Sequence, residues 1–167
     1  MDQLDRVGLR RRQWASERPE MDTTGMAIFG RARVITLGVR TEIEKVFDRF
    51  GLDTGDFDVL STLLRAGPPY QLRPTELFRW LMITSGGLTA RLARLEKRGL
   101  VVRIPDPMDG RSILVALTSE GQQKASAAIV EDMRIEAELL GGLSAEEKET
   151  LAALLRKLAL SLEARGL

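Results

Sequence analysis

The chain contains no cysteine and no histidine. Without thiols there are no disulfides, no thiolate metal sites and no cysteine redox sensor. Without imidazole the commonest acid/base catalyst is missing, and carboxylates are the only ordinary metal ligands left. Ser-x-x-Lys, a phosphate-binding loop and a dinucleotide fingerprint are also absent. An enzyme is therefore disfavoured, and neither a metal nor a cofactor is expected. No apolar run is long enough to cross a bilayer. Arg10-Arg11-Arg12 is followed by Gln13-Trp14-Ala15-Ser16-Glu17 rather than by the apolar core of a signal peptide. The sequence predicts a cytoplasmic protein with no membrane partner.

What is present fits one soluble globular domain: 167 residues, 44% hydrophobic and 29% charged. The net charge of +1 hides an uneven distribution. Residues 1–70 are balanced, residues 71–111 carry eight basic groups against four acidic, and residues 112–167 carry six against nine. A basic excess confined to one stretch is the footprint expected where a protein meets phosphates.

The apolar spacing is mostly helical. The first twenty residues are polar and arginine-rich, with Trp14 the large apolar exception, and suit either a frayed arm or a short helix. Met26, Phe29, Leu37, Ile43, Val46, Phe47 and Phe50 predict a long helix with a broad apolar face, ended by Gly51. Asp53 or Thr54 caps a second helix reaching Arg65. A third begins at Pro74 and runs to Met82, and Thr84 or Ser85 caps a fourth. Leu88, Leu92 and Leu95 turn the fourth helix inward on one side, leaving Gly87, Ala90, Arg91, Arg94 and Arg98 outward or on the flanks. Two strands follow, Leu100–Ile104 and Ser112–Leu117, with Asp109-Gly110 as a favoured hairpin turn pair in the loop between them. A helix from Glu120 to about Leu140 and another after the capping box Ser144-Ala145-Glu146-Glu147 complete the chain.

A short helix, a turn and a second helix that opens with small residues is the layout of a helix-turn-helix, whose second helix enters the major groove. Gly86 and Gly87 allow close approach to DNA, and Thr89, Arg91 and Arg94 reach base edges or backbone. Taken alone, a glycine pair followed by arginines is better read as a tight turn before a solvated charged helix. The hairpin that follows, with Asp109 orienting Arg111 toward an A·T-rich minor groove, tips the balance toward DNA.

Residues 84–121, "TSGGLTARLARLEKRGLVVRIPDPMDGRSILVALTSEG", resemble the recognition helix and wing of MarR-type regulators, including the Asp-x-Arg wing tip and the Leu-Thr-x-Glu-Gly that opens the next helix. The resemblance extends over about residues 26–165. It implies a mainly α fold with a small β-wing, a winged helix-turn-helix domain flanked by N- and C-terminal dimerisation helices. The corresponding divisions are an N-terminal extension with an added helix over 1–24, a dimerisation helix over 25–52, the winged helix-turn-helix over 53–120 and C-terminal dimerisation helices over 121–167. It also implies a homodimer bound to a palindromic operator, with half-sites about one helical turn apart. The DNA-binding residues carried over are Thr84, Ser85, Gly86, Gly87, Thr89, Ala90, Arg91, Arg94, Asp109 and Arg111. One departure stands out: Arg73 precedes Pro74 where related chains commonly have a capping Thr, which predicts a weaker start to the third helix.

The stretch "QWASERPEMDTTGMAIFGR" (13–31) resembles the added N-terminal helix of the urate-responsive, HucR/PecS-like branch of that family. Trp14, Asp58, Arg91 and Arg103 match that branch's ligand-binding positions, which implies a repressor released by a small anionic effector such as urate. A planar anion suits an indole and a guanidinium, and an Asp58–Arg91 pair would tie the pocket to the recognition helix. Each residue also has a simpler role open to it. Trp14 can staple a helix, Asp58 can favour a helix N-terminus, Arg91 can serve DNA alone, and Arg103 can be a solvated strand charge. The alternative reading is a constitutive DNA-binding protein with no small-molecule response.

Overall fold

The computed structural model describes residues 4–81 and 85–166. They fall into two compact units, Met1–Lys45 and Val46–Leu167.

In the first unit the arginine-rich start is a helix, α1 (Arg6–Glu17). Asp5 caps it by accepting the Gly8 N–H at 2.6 Å, and the same carboxylate holds Arg31 at 2.8 Å. The hydrogen bond from Arg31 is the main cause that lowers the Asp5 pKa. Val7 is buried, and a Cβ on Gly30 would come within 3.1 Å of its side chain. The predicted long helix begins with one π turn, Met26–Gly30, and continues as α2 (Arg31–Arg49), which runs on into the second unit.

In the second unit Phe47, near the end of α2, stacks on Phe57 of α3 (Thr54–Arg65) with ring centroids 4.0 Å apart. Asp53 is the cap of α3 and accepts the Asp56 N–H at 2.7 Å. Val59, Leu60 and Leu63 of α3 are fully enclosed, together with Leu77 of α4 (Pro74–Trp80). Leu88, Leu92 and Leu95 of α5 (Ser85–Lys97) join the same core on the predicted spacing. The two predicted strands are β2 (Val101–Asp106) and β3 (Asp109–Leu117). A two-residue strand, β1 (Gln71–Leu72), pairs antiparallel with β3 on its other edge, giving the order β1-β3-β2. It escaped the sequence reading because two residues carry no alternation to detect.

One expectation needs correction. Asp109-Gly110 is not the hairpin turn: both residues belong to β3, Asp109 faces Asp106, and the turn is Pro107-Met108. The reason is Asp106, whose carboxylate accepts the Met108 N–H at 2.9 Å and closes the turn two residues earlier. At α4 the Arg73 side chain makes no cap hydrogen bond, in line with the weaker start expected there. The Arg73 N–H donates to Glu76 Oε2 at 2.8 Å, so the helix keeps the carboxylate half of a capping box without a Thr.

The Leu-Thr-x-Glu-Gly segment becomes a tight seam. Thr118 caps α6 (Ser119–Leu139) by accepting the Gly121 N–H, while its hydroxyl donates to the Gly99 carbonyl at 2.6 Å. Gly121 is required there, since a Cβ would sit 1.9 Å from the Leu100 carbonyl oxygen. The last helix, α7 (Ala145–Glu163), starts on the predicted Ser144–Glu147 box.

Candidate nucleic-acid interface

Recognition by a helix requires that the helix be held rigidly while one side stays open. Gly87, Thr89, Ala90 and Ala93 lie exposed on α5, opposite the buried leucines. The far end of the helix is bolted down by charge. Asp56 is only 2% exposed, and both of its oxygens are occupied. Oδ1 accepts from Arg94, whose Nε lies at 3.2 Å and whose Nη2 is closer still. Oδ2 accepts Arg98 Nη1 at 2.8 Å. Arg94 also reaches Asp53 at 2.7 Å, and Arg98 donates to the Gly51 carbonyl at 2.6 Å. The bond to Asp56 is the main cause that raises the Arg94 pKa. A buried carboxylate ringed by donors is stable only while every partner stays in place. Asp56 thus fixes the recognition helix against the start of α3.

Neither Asp56 nor its link to Arg94 and Arg98 was foreseen. Asp53 was recognised as a cap, but the three-residue spacing to Asp56 reads equally well as acidic residues in the first turn of a helix. Only the approach of α5 shows what Asp56 holds. Arg94 and Arg98, expected outward or on the flanks, turn their guanidinium groups back along the helix flank to this acid.

The predicted effector residues divide. Trp14 belongs to the first unit, on α1, and is 41% exposed. Asp58, Arg91 and Arg103 belong to the second. Arg91 lies over Gly55, so closely that a Cβ there would fall 1.9 Å from the guanidinium carbon. Its Nη1 is buried without a hydrogen-bond partner. Asp58, one turn further along α3, feels this charge, yet no ion pair within 4.0 Å joins the two, contrary to the expected pairing. Burial is the larger influence and raises the Asp58 pKa; Arg91 and Arg65 oppose it. Arg103 instead lies 3.4 Å from Glu96 of α5. Gly55 was missed, since nothing in the sequence marks it as the floor beneath an arginine.

Thr84 lies outside the described residues, and only the backbone is described for Ser85, Gly86 and Arg111. Asp109 stands at the start of β3, where its Oδ2 accepts the Ser112 hydroxyl at 2.7 Å. The neighbouring turn residue Met108 is 88% exposed.

A three-helix unit closed by a β-hairpin, with the last helix seated and one side of it open, defines a winged helix-turn-helix protein. Residues 50–112 match the profile of the MarR family. PecS, a helix-turn-helix transcriptional regulator of Dickeya dadantii, is 38% identical over 143 residues, which is 86% of each chain. A cysteine-to-serine variant of Escherichia coli MarR, solved in complex with operator DNA, superposes with a TM-score of 0.69 at 28% identity, over 83% of this chain and 99% of that one. Sco5413, a MarR-family regulator of Streptomyces coelicolor, gives a TM-score of 0.70 at 25% identity, over 86% and 98%. The chain belongs to the MarR family of winged-helix regulators, and the likeness to PecS agrees with the HucR/PecS-like branch. It is a transcriptional regulator and not an enzyme.

Proposed function

We propose that this regulator binds a palindromic operator as a homodimer in the cytoplasm, represses transcription, and is released by a small anionic effector of the urate type. The observation that carries the DNA reading is the seating of α5 by Asp56, with Gly87, Thr89 and Ala90 left exposed on the helix. The start of α5 at Ser85 and Gly86 meets phosphate in this reading, and Thr84 is kept as a DNA contact. Arg111, beside Asp109 on the wing, supplies the minor-groove contact. Arg94 serves the interface from behind, as part of the seat.

Homodimerisation is supported by apolar surface that the chain leaves uncovered. Ile35 and Leu37 on α2, Val130 on α6, and Leu154 and Leu155 on α7 are all at least half exposed. No residue of α7 is buried. Surface of this kind on three helices is what a second copy would cover.

The effector reading rests on Arg91. A buried guanidinium nitrogen without a partner, beside a carboxyl whose ionisation burial already disfavours, is a place where an anion gains a hydrogen bond and where the protein gains from its arrival. Arg103 of the second unit joins them, and Trp14 of the first unit stays in this reading on its match to the HucR/PecS-like branch alone. An anion that enters here repels Asp58 and disturbs the floor on which α5 rests. It shifts the protein only by the amount that it prefers the state unable to bind DNA.

The test is fluorescence anisotropy of labelled DNA from upstream of the protein's own gene, at fixed salt, titrated with urate and with salicylate. Release by urate at the lower concentration, weakened in Asp58→Asn, is the expected result. Tight binding unmoved by either compound would favour the constitutive DNA-binding protein.

A further inference from the structure

The wing is tied to the rest of the domain by one ion pair that neither the recognition helix nor the effector residues use. Arg73 sits between β1 and α4, and its Nε and Nη2 both reach Asp106 Oδ2, at 2.8 and 2.7 Å. The Asp106 side chain is 4% exposed, although it stands at the end of β2 beside the hairpin turn. Its other oxygen holds the Met108 N–H at 2.9 Å. Since β3 lies between β1 and β2, the pair bridges the two outer strands of the sheet across the central one.

The register shows what this does. Leu72, the last residue of β1, pairs with Val115, and Ile104 pairs with Leu114. Arg73 therefore leaves the sheet level with the middle of β2 and reaches along it to a residue two positions nearer the tip. The ladder is irregular between Pro105 and Asp106. A two-stranded ribbon with a bulge near its end bends and twists readily there. Asp106 is the residue just beyond that point of weakness, so a hold on Asp106 sets the direction of everything after it. Two guanidinium nitrogens converging on one oxygen of a buried carboxylate make it a strong, charge-assisted hold. Both causes act together on the acid: the Met108 N–H and then the Arg73 guanidinium keep the Asp106 pKa below its ordinary value.

We propose that Arg73 is the positioning residue of the wing: by gripping Asp106 across β3, it fixes the angle at which the turn and the Asp109–Arg111 segment project toward DNA. This rests on the reading that the wing meets the minor groove. Arg73 acts through Asp106 and touches no base itself. Its main-chain N–H is simultaneously held by Glu76, so the start of α4 and the wing tip are referred to one residue.

The experiment uses the full chain and a duplex recovered by the wild-type protein from a random-sequence pool. Affinity is read by anisotropy and groove contacts by hydroxyl-radical footprinting, for Arg73→Met, Asp106→Asn and the double variant. Each single variant is expected to bind roughly tenfold more weakly, to lose the flanking protections of the wing and to keep the central protections of α5. The double variant should bind no more weakly than either single one. Asp106→Asn is the sharper arm, because it removes a negative charge near DNA and frees an arginine. Simple electrostatics predicts tighter binding, and the grip predicts weaker.

Unchanged or tighter binding by Asp106→Asn, or additive losses in the double variant, would overturn the proposal and make Arg73 an ordinary phosphate contact. If the wild-type protein shows no flanking protection, the wing reading itself fails and the proposal falls with it. If flanking protection is present and identical in Arg73→Met, only the grip fails. Arg73→Lys, which keeps a charge and a donor for Asp106, should recover part of the loss and carries the same comparison should either single variant lose its cooperative melt.

Discussion

Helix α3 has 12 residues and buries seven of them. Helix α7 has 19 and buries none. Both show helical spacing of apolar residues, and both carry acidic residues in the first turn. The difference is what stands opposite. Around α3 the chain supplies partners for each face: Phe47 on Phe57, the interior leucines on one side and the Arg94–Asp56–Arg98 cluster on the other. Along α7 the leucines at 151, 154 and 155 recur at i, i+3 and i+4 and remain exposed. Amphipathic spacing specifies that a face must be covered, without specifying by which chain.

The comparison predicts two kinds of failure. The largest expected effect is inside α3. Leu60→Ala removes a fully enclosed side chain and should cost about 3–5 kcal/mol of unfolding free energy in a denaturant melt. A loss below 1 kcal/mol would show that the α3 core is much softer than its burial indicates. Asp56→Ala comes next, at about 3 kcal/mol, because it leaves Arg94 and Arg98 facing each other without their shared acid. It should also weaken DNA binding under conditions where the protein remains folded. Retained affinity would show that α5 is held by its leucines alone.

For α7 the same kind of change should leave the winged helix intact and strike association. Leu154→Glu, measured by sedimentation, should weaken self-association by about 2–3 kcal/mol, with the circular dichroism of the helices largely kept. An undiminished dimer would mean that the exposed row on α7 is simply solvated, and the contrast with α3 would lose its meaning.

The smallest effect concerns α6, which faces both ways. Asp132 is buried with Oδ1 lacking a partner, and burial, with Glu136 as a lesser cause, raises its pKa. A carboxyl whose folded pKa lies above its unfolded one penalises the fold fully above the raised value and not at all below the unfolded value. Asp132→Asn should therefore stabilise by about 1 kcal/mol near neutral pH, with an advantage that shrinks as pH falls through the raised pKa toward 4. Equal melting temperatures for the two proteins at both ends of that range would show that Asp132 has a partner after all.

Much of this organisation is legible in the residues. Leu88, Leu92 and Leu95 announce the inner face of α5, Ser144 and Glu147 announce the start of α7, and the change to Val, Ile and Leu after Gly99 announces the wing. These are local signals, set by the period of the backbone and by capping within four residues. The missed features share the opposite property. Gly55 matters because Arg91, 36 positions later, lies on it. Asp56 matters because Arg94 and Arg98 converge on it. Pro107-Met108 forms the turn, displacing the favoured Asp-Gly pair, because the Asp106 carboxylate that accepts the Met108 N–H is itself held by Arg73, 33 positions earlier. In each case a local preference was outweighed by a charge or a close contact arriving from far along the chain.

The helical class, the order of helix, turn, helix and wing, the lack of histidine and cysteine chemistry, and the basic excess over residues 71–111 can all be read from the order of residues. The periodicity, the composition and the caps that set these properties all lie within a few residues of one another. Which arginines are spent on Asp56, where the wing turns and which glycine must stay bare follow instead from the packing of the elements. Those outcomes depend on distances between elements, and a buried carboxylate takes its donors from whatever the fold brings within about 3 Å.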